Sequence, residues 1–192
     1  MLHLAADFLT RELNSWLVQR TGSAFGSALL TRIATEAGKW AIPDDQIGVA
    51  LVNVEEERAL KSQIPVPAYI EGRQVMREPE IKLNLHVLFA ANFKAYDQGL
   101  KQLSYVLTFF QGHPVFTRER YPGLDARIDR LGVDLIGLSF EQLNQLWAFV
   151  GAKQLPAVVY RVRLVALQDD EPLSVGAPIT KIDAAVEVIA PS

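Results

Sequence analysis

The sequence contains no cysteine, only two methionines and three histidines, and no surplus of charge of one sign. Each shortage closes off a class of function. Without cysteine there is no disulfide, no thiolate metal ligand and no cysteine nucleophile, and a reducing compartment suits the chain. His3, His86 and His113 are far apart, and none has a carboxylate or a second histidine at ligand spacing, so no metal is expected. Net charge is −3 and the pI about 5.6, which leaves no basic footprint for nucleic acid. Half the residues are hydrophobic (49%), yet no run approaches the roughly 18 apolar residues of a spanning helix, and no membrane insertion is expected. The opening MLHLAADFLTRELNSW lacks a basic segment and carries Asp7 and Glu12 within its apolar pattern, so it is not read as a secretory signal. Synthesis and assembly in the cytoplasm are expected. GxSxG, GxxxxGK[ST] and strand-borne GxGxxG are also missing, so neither a catalytic residue nor a cofactor is expected.

What is present is pattern. At 192 residues the chain suits one domain that buries roughly 70% of its unfolded surface. Ala5, Phe8, Leu9, Leu13, Trp16 and Leu17 fall three or four apart, which predicts an amphipathic helix over 2–20, closed by Gly22. Ala28–Ile33 is a strand or a link, and Gly38 and Pro43-Asp44-Asp45 mark a loop. From Ile47 to Val54 both faces are apolar, which predicts a strand covered on both sides that leaves the core at Glu55-Glu56-Glu57. Ile81, Leu83, Leu85, Val87 and Phe89 alternate with Lys82, Asn84 and His86, a strand with one polar face. Asn92 is placed to cap the next helix, whose stripe is Tyr96, Leu100, Leu103, Val106 or Leu107, and Phe110. Gly99 inside it signals a close approach to another backbone. A short strand is read at 132–138. Ser139 and Gln142 have capping-box spacing before FEQLNQLWAFV, with Phe140, Leu143, Leu146, Trp147 and Val150 apolar and Gly151 as the stop. Ala157–Leu167 is a strand with Arg161 and Arg163 pointing outward. The fold class is therefore α+β, a mainly antiparallel sheet with about three packed helices.

Two stretches fit this scheme less well. Ser62–Pro79 scatters Tyr69, Met76 and other apolar residues among prolines and charges such as Arg73, and reads as a mobile loop or as a protruding arm covered by a partner. Residues 171–192 read as weak strands or a tail. Of the acidic clusters, Glu55 and Glu57 share a strand face while Glu56 points away. Such clusters can do acid–base work, but a solvated strand end or a charged contact surface is the plainer account.

The strings LVNVEEER at 51–58, LNLHVLFAANF at 83–93, FFQ at 109–111, EQLNQLWAFVGAK at 141–153 and VVYRVRLV at 158–165 occur in this order. Together they resemble the tail terminator, or cap, family of phage-tail-like contractile injection systems, long described as a bacterial domain of unknown function. The resemblance covers about residues 1–170. It implies a tail-terminator α+β domain and a non-enzymatic role: a six-fold ring of copies that closes the distal end of the inner tube, ends its growth and anchors the last sheath layer. It further implies the inner tube protein and the sheath protein as partners, within a particle that is released or membrane-attached. Closed rings need complementary, non-identical patches. Glu55, Glu56, Glu57 and Arg58, against Arg161 and Arg163, are candidates for them. Lys82 and His86 are candidate contacts on the polar strand face, and Tyr69, Arg73 and Met76 on the arm at 62–79. Another adaptor or baseplate component of the same particle is the alternative, and an unrecognised enzyme built on the acidic clusters is the third class.

Overall fold

The computed structural model describes residues 1–23, 25–57, 66–70, 73–77, 81–167 and 174–178. Arg58 and, apart from 174–178, the tail read at 171–192 lie outside the described residues. The chain divides into two compact units, Met1–Leu60 with Ile81–Leu167, and Lys61–Glu80 with Gln168–Ser192.

The first unit holds α1 (Leu2–Thr21), β1 (Ala28–Leu30), β2 (Gln46–Glu56), β5 (Ile81–Asn92), α2 (Tyr96–Gly112), β6 (Val115–Thr117), β7 (Arg130–Ile136), α3 (Phe140–Val150) and β8 (Ala157–Leu167). Its six strands run in the order β1-β2-β5-β8-β7-β6, and only the β1–β2 pair is parallel. The second unit is a three-stranded antiparallel sheet of β3 (Val66–Ile70), β4 (Arg73–Arg77) and β9 (Ser174–Pro178). The stretch read as a loop or arm thus contains a hairpin. Its prolines and scattered charges hid the pairing, because neither strand alternates cleanly.

α1 and α2 cover one face of the six-stranded sheet. Ala5, Phe8, Leu9, Leu13 and Leu17 of α1 and Val106, Phe109 and Phe110 of α2 meet Ile47, Val49, Leu85, Val87, Phe89, Tyr160, Val162 and Leu164. Phe89 lies at the middle, 5.2 Å from the Phe110 ring and 5.8 Å from that of Tyr160, both edge-on. Edge-on rings bring the positive rim of one against the negative face of the other, which adds to the area they bury.

α3 packs on the opposite face, over Leu88, Ala90 and Val159, with Trp147 as its buried residue. Its ends are those read from the sequence. The Ser139 hydroxyl accepts from Gln142 N–H, the Gln142 side chain accepts from Ser139 N–H, and Gly151 closes the helix at φ 71°. Ile42 lies over Gly48 on this face so closely that a Cβ there would meet its side chain at 2.4 Å.

Several expectations need correction. The covered part of β2 ends at Ala50; Leu51 and Val54 are exposed. Beyond Leu51 a bulge before Asn53 turns the strand over relative to β5. Asn92 does not cap α2. It is the buried last residue of β5, and its amide donates to Ile42 O at 2.8 Å, while the N-cap position is Ala95. The α2 stripe is rotated from the expected one: Gly99, Gln102, Leu103, Val106, Phe109 and Phe110 are buried, and Tyr96 is 68% exposed. Gly99 approaches the Phe93 and Ala91 side chains of the β5 end, not another backbone. Phe140 is 93% exposed, so it belongs to no core.

A charged row on the open half of the sheet

α3 covers only the half of its sheet face where β5 ends. On the other half, register fixes which side chains stand side by side. Asn53 of β2 faces His86 of β5, His86 faces Arg161 of β8, and Arg161 faces Asp134 of β7. One rung further, Glu55 faces Asn84, Asn84 faces Arg163, and Arg163 faces Gly132. Directly opposed residues stand about 5 Å apart at Cβ. The two rungs therefore form a polar row across four strands.

The β2 bulge is what completes it. Before the bulge, Ala50 stands with Leu88 on the α3 face. Unbroken alternation would have put Val52 and Val54 there next. The extra residue reverses the phase, so Asn53 and Glu55 take that face instead. An apolar continuation becomes a polar one without any change in the strand's direction.

Within the row most charges meet an opposite charge or an amide. Glu55 lies 3.7 Å from His86 Nε2, an ion pair only when the imidazole is protonated, and accepts a 3.0 Å hydrogen bond from the Asn53 amide. Asn84, itself buried, donates to Glu57 at 3.1 Å. Asp134 serves two guanidinium groups, Arg163 at 2.9 Å and Arg161 at 3.8 Å. These three side chains are 38%, 56% and 47% exposed. At that exposure each pair adds no more than about 1 kcal/mol to folding. The row therefore contributes little to holding the fold together.

Two cavities flank it. One, of about 280 Å³, is lined by Glu57, Lys82, Asn84, Arg130, Gly132 and Arg163, among others. The other, of about 260 Å³, lies toward α3, where His86, Asn53 and Gln142 meet apolar side chains such as Leu146 and Val159.

Of the residues singled out from the sequence, Glu55, Glu57, Lys82, His86, Arg161 and Arg163 come together here, in one chain and on one face. Glu56, opposite Leu83 in the register, alternates to the other face. Tyr69 and Met76 are strand positions of β3 and β4 in the second unit, as is Arg73 at the start of β4. Arg58 lies outside the described residues. Sequence reasoning missed Asp134, Arg130 and Asn53. Asp134 had a signal, a lone charge inside an apolar strand, whereas Asn53 depended on the bulge. Among the described residues, no group of three or more His, Cys, Asp or Glu is arranged to hold a metal ion, and no helix is long and apolar enough to cross a membrane.

Comparison with known proteins bears on the fold and the family. The sequence profile of the Pvc16 N-terminal domain matches residues 6–181. No curated protein sequence matches the chain. Among solved structures, the cryo-EM structure of the anti-feeding prophage cap, a tube-terminating cap, is similar with a TM-score of 0.57, covering 92% of this chain and 60% of that one at 12% identity. The sheath/tube terminator of the PVC extracellular contractile injection system, in its extended state, is similar with a TM-score of 0.50, covering 76% of this chain and 51% of that one at 17% identity. The chain thus spans about half to three-fifths of the length of these solved chains. At such identities the likeness is one of fold, and the α+β fold read from the order of elements is that of tube-terminating caps.

Proposed function

The chain belongs to the Pvc16 N-terminal domain family, and we propose that it is a structural terminator of a contractile injection system. In this reading it closes the distal end of the inner tube, ends tube growth and anchors the last sheath layer. The observation that carries the proposal is coverage: a tube-terminating cap shares the fold over 92% of this chain. The role is mechanical, and the charged row supplies contact chemistry rather than turnover.

The partners follow from that role. Copies of the chain form a ring, six-fold to match the tube, and the ring meets the inner tube protein below and the sheath protein outside. The polar row on the α3 face and the β3–β4 hairpin are the contact elements, the hairpin acting as a strap to a neighbour or to the sheath. The finished particle carries the protein wherever it goes, released or attached to a membrane.

Electron microscopy of particles carrying an immunogold label on this chain tests the proposal. Gold at the end opposite the baseplate, together with tubes of uncontrolled length when the chain is deleted, is the expected result. Gold at the baseplate end would transfer the protein to the adaptor class. Analytical ultracentrifugation with and without tube protein tests the ring: a chain that stays monomeric even with the tube present has no ring. Deleting 63–76 and finding the sheath fully attached would remove the strap.

A further inference from the structure

The 280 Å³ cavity beside the row holds more positive charge than its neighbours satisfy. Lys82 from β5, Arg130 from β7 and Arg163 from β8 surround it. Arg163 is drawn to Asp134, but Lys82 and Arg130 have no ion-pair or hydrogen-bond partner for their side chains among the described residues. The one carboxylate at the rim, Glu57, is engaged by the Asn84 amide at 3.1 Å. Gly132 stands between the two arginines with no side chain to fill the space. Three cations on three strands therefore point at one opening whose only acid is already engaged.

From this juxtaposition of Lys82, Arg130 and Arg163 around a cavity we propose that the open half of the sheet is a docking groove for an acidic polypeptide segment of a partner protein. The inference rests on the terminator reading and names the chemistry of the contact. A segment fits better than a small anion because the groove has two compartments. The charged cavity receives one or more carboxylates. The second, about 260 Å³ and walled by Val52, Leu146 and Val159, receives an apolar side chain further along the same segment. The rung of His86, Arg161 and Asp134 lies between them, and Asp134 keeps Arg161 and Arg163 from repelling each other while the groove is empty. A second copy of the chain is a poorer occupant by charge. The acids of its own row, Glu55, Glu57 and Asp134, are engaged within the chain.

A photocrosslinking side chain, p-benzoylphenylalanine, placed at Arg130 in the full chain within assembled particles tests this. Irradiation is expected to join position 130 to a peptide of another protein of the particle that is rich in Asp and Glu. In parallel, Lys82→Glu with Arg130→Glu is expected to lower the amount of chain sedimenting with particles by about tenfold or more, because like charges across a contact are strongly unfavourable. Lys82→Arg with Arg130→Lys is expected to leave it unchanged. Both positions are charged surface sites, so a thermal melt like that of the parent chain should accompany each variant. A neutral or basic cross-linked peptide, a cross-link to a second copy, no cross-link in particles that carry the protein, or normal sedimentation of the reversed pair each overturns the inference. Gold labelling of the parent chain separates the two levels. A parent chain found at the particle end with an indifferent reversed pair sinks the docking groove alone, whereas a parent chain absent from that end sinks the terminator reading.

Discussion

The two faces of the six-stranded sheet are built from the same strands and do opposite work. Phe89 and Leu88 are neighbours on β5, both with no exposed surface, and they point in opposite directions. Phe89 enters the core under α1 and α2, where rings and aliphatic side chains fill the space between two helices and six strands. Leu88 enters the smaller core under α3, where Trp147 is the only buried residue of the helix. Beyond that core the face is polar. The contrast teaches that one face is enclosed along the sheet by two helices, whereas α3 covers only half of the other.

The largest expected effect tests this difference on adjacent residues. Phe89→Ala should cost about 3–5 kcal/mol, since it empties the centre of an enclosed core. Leu88→Ala should cost less, about 2–3 kcal/mol, because Leu88 already lines a cavity of about 300 Å³ that opens to solvent beside α3, so the new space relaxes into existing space. Urea unfolding of both variants measures the pair. Equal losses would break the comparison.

A second effect, about 2–3 kcal/mol, probes the enclosed face by pH. Burial among apolar neighbours pushes the Tyr160 hydroxyl up to about 12 from its ordinary value of 10.0. The unfolded chain therefore loses this proton first. Stability is fully present below pH 10 and falls as pH rises from 10 through 12, by about 1.4 kcal/mol per unit. Tyr160→Phe should remove that slope while leaving the neutral-pH stability close to the parent's. An alkaline slope unchanged in Tyr160→Phe would assign it to another group.

How much of this was legible follows from the same two faces. The enclosed face has strict periods. The α1 stripe, the alternation of β8 from Ala157, and Leu85–Val87–Phe89 could be read directly, because each apolar residue has one place to go. The other face was less legible for reasons that single residues show. The bulge at Val52 adds one residue and puts Asn53 and Glu55 where Val52 and Val54 would have stood, and period-2 reasoning has no means of seeing an insertion. Phe140 satisfies a helical apolar pattern, yet it starts a helix that reaches only part of the sheet, so its ring stays in solvent. Asn92 has the right type and place for a cap, but the strand runs three residues past the alternating stretch and consumes it. Which of the charged residues meet was decided by strand order. Glu55 and Arg163 are far apart in sequence and stand on either side of Asn84 only because β2, β5 and β8 are neighbours.

The smallest effect on folding is expected where the largest effect on assembly is proposed. Asp134→Asn removes the carboxylate that faces Arg161 and Arg163, and it should change stability by less than about 1 kcal/mol, because all three groups are substantially exposed and water already screens them. Thermal melts at low and high salt measure this, and raising the salt should shrink whatever difference exists. The same substitution leaves the two arginines unopposed and raises the positive charge of the groove. An acidic partner segment should then bind at least as well as it does to the parent, while a partner that recognises the Asp134 carboxylate should be lost. A loss of several kcal/mol on melting would mean that the row holds the sheet together, and the division of labour between the two faces would fail. A melt like the parent's, with particle sedimentation kept or strengthened, places the charges of the α3 face in recognition and leaves stability to the aromatic core on the other side.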